Sequence, residues 1–239
     1  MINITSKKLI NNKYKCVNYE FNNINEIFKN KLGKILSITI TDTDIVDFPY
    51  IENIKEIVFE HCPNLIHIPQ LRGVEKLTIN WCNKLTEIPN IKGLVELSCT
   101  QCCSIVNIPC IEGLKILDCS DCSSLKSIPT VHSLITLKCD GCFTLEIIPQ
   151  LKNLQTLYCS NCYDLVKITN FKSLQKLDCS KCYSLNCIDY LPELIILDCY
   201  DCNVLVSIKN LPKLKVLFCD SCYLIDELNN FNNLEYLDC

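Results

Sequence analysis

A fixed period constrains this chain more than any other feature. The stretch Leu114 to Pro129, read as L-K-I-L-D-C-S-D-C-S-S-L-K-S-I-P, returns every twenty residues with minor edits. The cysteine of its second half falls at Cys62, Cys82, Cys102, Cys122, Cys142, Cys162, Cys182, Cys202 and Cys222. A strict repeat of this length specifies a solenoid, in which each unit buries its apolar face only against its neighbours. The period holds from Ile51 onward, so one continuous body is expected over residues 34–239, with residues 1–33 as a cap on its first rung.

Within a unit the apolar positions are Leu114, Leu117, Cys119, Cys122, Leu125 and Ile128. Leu117 and Cys119 alternate with Ile116, Asp118 and Ser120, the period of two expected of a strand with one buried face. After Cys122 the spacing lengthens to three. The eleven residues from Ser123 to Ser133 contain Pro129, Thr130 and Val131, which oppose a helix. The return limb is predicted to be extended, with at most a 3₁₀ turn. About eleven such strands at about 4.8 Å spacing make a parallel sheet roughly 50 Å long. The first rung, Ile35 to Ile51, is one residue short, so that Ile38 and Ile40 match Ile57 and Phe59. In the cap, Lys13 to Phe21 reads as a strand, and Asn25 to Leu32 as a short helix through Ile27, Phe28 and Leu32.

The net charge of −4 argues against a general affinity for nucleic acid or anionic membrane. The N-terminal residues lack the apolar core of a signal peptide, and no run is long enough to span a bilayer. Of 21 cysteines, an odd number, 17 occupy two fixed phases of the repeat. Fixed phase is the mark of a core position, and free Cys is among the most buried residue types. A reducing, cytoplasmic compartment is therefore expected.

The pattern L-x-x-L-x-C-x-x-C-x-x-L-x-x-I-P resembles the leucine-rich repeat, over residues 35 to 239. Its short unit is similar to the bacterial-effector class, whose units carry L-P-x-L-P. Here the two prolines are divided: Pro69, Pro89, Pro109, Pro129 and Pro149 keep the first, and Pro192 and Pro212 keep the second. The wording L-D-C-S-D-C-S-S-L-K-S-I-P is also similar to repeats of plant disease-resistance receptors, and the abundance of Asn, Ile and Lys to repeat proteins of large amoeba viruses. The resemblance implies a leucine-rich-repeat solenoid, formally of the α/β repeat class but mostly β with few helices. It also implies a curved parallel sheet on the concave side, which in such repeats binds other proteins. Neither family's catalytic or nucleotide-binding domain has room here.

Seven C-x-x-C pairs run from Cys99/Cys102 to Cys219/Cys222. Zinc held by thiolates of neighbouring rungs, or redox chemistry, is the functional alternative to packing. In the resemblance, however, Cys119 takes a core leucine position and Cys122 that of the ladder asparagine, so both point inward. The earliest rungs put Phe59 and Ile79 in the first slot, which an apolar site tolerates and a metal ligand does not. No helix follows to lower a thiol pKa. The expectation is thus no metal and no cofactor. No catalytic triad, H-E-x-x-H or phosphate loop is present, and no enzymatic activity is expected. His61, His67 and His132 fall at outward phases with no partner in view.

The outward positions of the strands are more informative. Asp118, Asp178, Asp198 and Asp238 share one column, Ser120, Asp140, Tyr200 and Asp220 the next, with Asp121 and Asp201 flanking. Trp81, Tyr158, Tyr200, Phe218 and Tyr236 interrupt the polar surface. Asp is depleted in strands, and like charges on adjacent rungs are mildly destabilising, so their presence points to a partner. The expected function is a protein-interaction module whose acidic and aromatic concave face takes a protein with a basic patch. A targeting subunit for an enzyme on another chain is a further reading. At the end of the chain, Leu234, Leu237 and Cys239 repeat the inward pattern without a polar closing unit. An uncapped edge of this kind favours a homodimer about a two-fold axis. Fraying of Asn229 to Asn233, or a chain that is a fragment, are the alternatives.

Overall fold

The computed structural model describes residues 2–10, 13–21, 35–48, 54–225 and 231–239. Among the described residues there are sixteen strands, and those outside them are turns, bends or extended chain. The two strands of the cap are β1 (Ile2–Ile10) and β2 (Lys13–Phe21), the latter where the sequence places it. They pair antiparallel from Ile2↔Phe21 to Ile10↔Lys13, and β1 continues antiparallel onto β3 (Ile35–Thr41). The helix expected over 25–32 lies outside the described residues.

From β3 onward the main sheet is parallel and advances one rung per strand. It runs through β4 (Glu56–Glu60), β5 (Lys76–Asn80), β6 (Glu96–Ser98), β7 (Ile116–Asp118), β8 (Thr136–Lys138) and β9 (Thr156–Tyr158). Three strands on the return limb, β10 (Lys167–Thr169), β12 (Cys187–Asp189) and β14 (Ser207–Lys209), form a second sheet in the order β10-β12-β14. The main sheet resumes with β11 (Lys176–Asp178), β13 (Ile196–Asp198), β15 (Val216–Phe218) and β16 (Tyr236–Asp238), giving eleven parallel strands from β3 to β16. Pairing is in register at twenty residues, Leu117↔Leu137 and Leu177↔Leu197 among them. The short first rung shows directly: Ile38 pairs with Ile57 and Ile40 with Phe59, an offset of nineteen.

Each rung turns one set of side chains inward. Leu114, Leu117, Cys119, Cys122, Leu125 and Ile128 are at most 5% exposed, and the same columns are buried from Ile38 to Cys219 in one continuous core. Fully burying a Leu or Ile contributes about 1.5–3 kcal/mol, so these columns are the main source of stability among the described residues. Two hydrogen-bonded turns close each rung. One follows the second cysteine, as in Leu125 N to Cys122 O at 3.0 Å. The other leads into the next strand, as in Leu94 N to Ile91 O at 3.3 Å. Among the described residues no helix is long and apolar enough to cross a membrane.

The second residue after the last inward side chain of each strand (Ile40, Phe59, Ile79, then the first cysteine of a pair) adopts a left-handed conformation. Asp42, His61, Trp81, Gln101, Asp121, Asn161, Lys181, Asp201 and Ser221 all have φ between 50° and 63°. Asp, Asn and Gly tolerate this region, whereas large side chains adopt it at a cost. Gly141 takes this place on its own rung with φ 66°, a conformation that glycine adopts without a Cβ penalty.

Candidate functional site

The cysteine ladders are the most conspicuous chemistry, and the geometry assigns each thiol a packing role. The second cysteine of each pair donates back to a carbonyl of the preceding rung: Cys122 Sγ to Cys99 O at 3.0 Å, Cys162 Sγ to Cys139 O at 3.1 Å, Cys202 Sγ to Cys179 O at 3.1 Å. The first donates forward, Cys119 Sγ to Lys138 O at 3.3 Å and Cys159 Sγ to Asp178 O at 3.4 Å. These sulfurs thus fill apolar slots while their protons satisfy backbone carbonyls. All the described cysteines are free thiols.

Hydrogen bonding across the ladders and burial together keep most of these thiols protonated. Cys119 and Cys139 are pushed well up by their bonds to Cys142 and Cys162 and then by burial. For Cys179 burial comes first and raises it to about 11. In the pair Cys99/Cys122 the shared hydrogen bond raises the former and lowers the latter, so the two titrate as one unit. Among the described residues no group of three or more His, Cys, Asp or Glu is arranged to hold a metal ion.

The solvent face of the main sheet carries the residues read as a binding surface. Asp118, Tyr158, Asp178, Asp198 and Phe218 stand in one column, and register makes Tyr158, Asp178, Asp198 and Phe218 successive neighbours. Asp140, Tyr200 and Asp220 stand in the next column, and Trp81, Asp121 and Asp201 on the left-handed turns beyond it. Tyr236 joins the column on the other side, its ring 5.4 Å from that of Phe218. Trp81 stands rungs away from the Tyr158 to Tyr236 group. Tyr200 is 40%, Trp81 45% and Tyr236 51% exposed, and Asp121 and Asp220 are also open to solvent. The remaining members are half-buried.

The aspartates are less free than their outward phase implies. Asp118 and Asp178 each accept from the backbone N (3.2 Å) and hydroxyl (2.8 Å) of the serine two residues on, Ser120 and Ser180. Asp198 likewise accepts from Tyr200 N at 3.1 Å. Asp140 reaches across a rung to Ser160 N and Oγ, at 2.8 and 2.7 Å. These carboxylates shape the turn at the end of each strand, in the manner of an Asx turn. Burial raises the carboxyl pKa of Asp140 and of Asp198, and the neighbouring aspartates, Asp178 in both cases, add to it.

Lysines that the sequence reading did not assign to this face also occupy it. Lys138 lies 3.7 Å from Asp118 and 5.9 Å from the Tyr158 ring centroid, and Lys176 covers the same ring at 4.9 Å. Lys181 stands 5.9 Å from the Tyr200 ring. The signal was available, since Lys138 is the column mate of Asp118 at a distance of twenty residues. A second omission is the stack Phe143, Tyr163 and Tyr183 on the turn edge, with centroids 4.9 and 5.1 Å apart. Tyr183 donates its hydroxyl to Asp201 at 3.4 Å.

His61, outward with no partner in view from the sequence, has two neighbours in the fold. Its ring stacks on Trp81 at 5.3 Å, and its Nδ1 lies 3.8 Å from Asp42. At the other end, β16 is an edge strand with all three residues exposed, Leu237 at 44%. Cys239 is exposed and Cys222 half-covered. No protein-family model matches this chain, and no curated protein matches it.

Proposed function

We propose that this chain is a non-enzymatic interaction module of the leucine-rich-repeat type, holding a protein partner against the solvent face of its main sheet. The observation that carries the reading is a preorganised set of side chains. Tyr158, Phe218 and Tyr236 stand on a parallel sheet whose strands are locked in register, Tyr200 stands on the turn after β13, and Asp178, Asp198 and Asp220 stand between them. Aromatic anchors on rigid elements bind at low entropic cost, and carboxylates beside them select a basic partner and speed its association. Around Tyr158 the lysines Lys138 and Lys176 offset part of the negative charge, so the acidic contribution is concentrated toward Asp198 and Asp220. Free thiols throughout the described core fit a reducing, cytoplasmic setting.

The test is capture from the native cell with the parent protein and with the triple variant Asp118→Asn, Asp178→Asn, Asp198→Asn. Asn keeps the Oδ1 acceptor that the turns use, so the fold should survive with an unchanged circular dichroism spectrum. Affinity for the captured partner should fall by about tenfold and lose part of its salt dependence. Equal binding by the parent and the variant would reduce these carboxylates to turn caps.

A further inference from the structure

Away from the Tyr158 to Tyr236 group, the first rungs carry a separate concavity. It has a volume of about 380 Å³, opens to solvent, and is lined by Asp42, Thr43, Asp44, His61, Pro63, Trp81 and Asn83. Its walls come from three successive turns, held one above the other by Asp42 N to Glu60 O (3.0 Å), His61 N to Asn80 O (3.1 Å) and Trp81 N to Thr100 O (3.1 Å). The site is therefore as rigid as the sheet behind it. Thr43 anchors its floor, buried to 5% and hydrogen-bonded to Cys62 at 3.7 Å.

The lining has one chemical character. Asp42 and Asp44 bring two carboxylates, both exposed, and Trp81 brings the sole indole of the chain. His61 is stacked on that indole and faces Asp42 at 3.8 Å. None of the lining residues carries a fixed positive charge. The ammonium of Lys84 is tied to Asn64 Oδ1 at 2.7 Å, and Asn64 in turn donates to Asp44 at 3.1 Å. Trp81 sits in the left-handed region with φ 59°, where a bulky side chain is an outlier. A residue suited to that backbone, such as Asp121 or Gly141 on later rungs, would have been less strained there. An indole held beside two carboxylates in an open pocket is the chemistry that recognises an organic cation.

We infer that this pocket receives a basic side chain, the ammonium of a lysine or the guanidinium of an arginine, presented by the protein partner. The inference rests on the interaction reading above for the bearer of the cation, and on the pocket alone for its chemistry. Asp42 and Asp44 supply the counter-charge, and Trp81 supplies an apolar and cation-attracting wall. The pocket fixes one end of the partner while the sheet face meets its body.

Trp81 is its own reporter, because no other tryptophan contributes to the emission. The experiment titrates the full chain, under reducing conditions, with tripeptides carrying a central arginine, lysine or glutamine, and follows tryptophan fluorescence. Saturable changes are expected with arginine and lysine at millimolar concentrations, weakened by salt, and absent with glutamine. The double variant Asp42→Asn, Asp44→Asn should raise the half-saturating concentration about tenfold, the factor expected from removing two solvent-exposed ion pairs. Both side chains are exposed, and far-ultraviolet circular dichroism verifies that the variant is folded. Equal responses to the three peptides, no response to the charged ones, or an unchanged titration of the double variant would each overturn the inference. Asp178→Asn with Asp198→Asn serves as the second arm. It should leave the Trp81 response intact, and a lost response would misplace the site. A cation response without any basic partner on the sheet face would defeat the interaction reading and leave the pocket standing. Capture of a basic partner with a silent Trp81 would defeat the pocket alone.

Discussion

The return limbs of the early and the late rungs behave differently although their core columns are the same. Ile128 and Ile148 on the early rungs occupy the same inward column as Ile168, Ile188 and Ile208 on the late ones. On the late rungs the limb forms a three-stranded parallel sheet, paired Ile168↔Ile188 and Ile188↔Ile208. On the early rungs it makes only single bridges, Asp47↔His67 and Asn107↔Ser127. The residue after the isoleucine explains the difference. It is Pro69, Pro89, Pro109, Pro129 and Pro149 on the early rungs, then Thr169, Asp189 and Lys209. Proline has no N–H and restricts the residue before it, so pairing that begins one position after the bridge cannot continue. Where proline ends, pairing extends, and the next residue turns left-handed at Asn170, Tyr190 and Asn210. One proline per rung, through its fixed φ and its restraint on the residue before it, therefore decides whether a limb is a sheet or merely extended chain.

The largest expected effect concerns thiols. Cys103 and Cys110 are exposed on early rungs, Cys187 is half-buried within β12, and ladder cysteines such as Cys119 and Cys162 are fully buried. With a maleimide in the native state, Cys103 and Cys110 should react first. Cys187 should follow more slowly, because burial raises its pKa and β12 shields it. The internal ladder thiols, unlike the exposed Cys239 and half-covered Cys222, should react only on unfolding, slower by several orders of magnitude for a domain of ordinary stability. Rapid native labelling of Cys119 or Cys162, read by peptide mass spectrometry, would break the packed-core account on both halves of the molecule.

Next in size is the transfer of the early pattern to the late limb. Asp189→Pro places proline in the central strand of the small sheet and should cost about 3 kcal/mol in a urea titration. Hydrogen exchange should then quicken in both β10 and β14, while β11 and β13 keep their protection. Uniform loss of protection would mean that the two sheets are a single cooperative unit.

A smaller effect is expected at the junction of the two regions. Asp140 lies on the last proline rung and bonds to Ser160 on the rung that follows. Its folded carboxyl pKa is raised, chiefly by burial, so the folded state binds this proton more tightly than the unfolded chain does. Its contribution thus falls as pH rises from the ordinary carboxylate value through the raised one. Asp140→Asn keeps the acceptor and removes the titration. The variant should match or exceed the stability of the parent at neutral pH and lose this part of the pH dependence, as thermal melts at several pH values would reveal. A variant less stable than the parent at pH 7 would mean that the charge itself joins the rungs.

Smallest is the reverse graft. Pro149→Thr removes the ring's hold on its own φ and on the residue before it, and should let the limb of that rung pair with β10, adding less than about 1 kcal/mol. New exchange protection near Ile148 and Gln150 is the sign to seek. Its absence would assign the limb sheet to a cause other than proline.

Much of this architecture was legible from the chain itself, because a solenoid makes every tertiary contact a copy of one sequence offset. The strand Lys13 to Phe21 is legible outside the repeat, and the strand alternation of Leu117 and Cys119, the nineteen-residue first rung and the inward thiols follow from periodicity. So did the columns that face solvent, since a fixed register turns i and i+20 into neighbours. Three things needed the folded molecule. The strand Ile2 to Ile10 carries no repeat, and only its antiparallel pairing with β3 reveals it. Asp118, Asp178 and Asp198 read as free charges, yet the turn after each strand brings a serine or tyrosine N–H onto their carboxylates. The pocket at Trp81 joins Asp42, His61 and Trp81 across offsets of nineteen and twenty, where the first short rung breaks the period. Periodicity determines which residues stack, while the geometry of the turns decides where their side chains end.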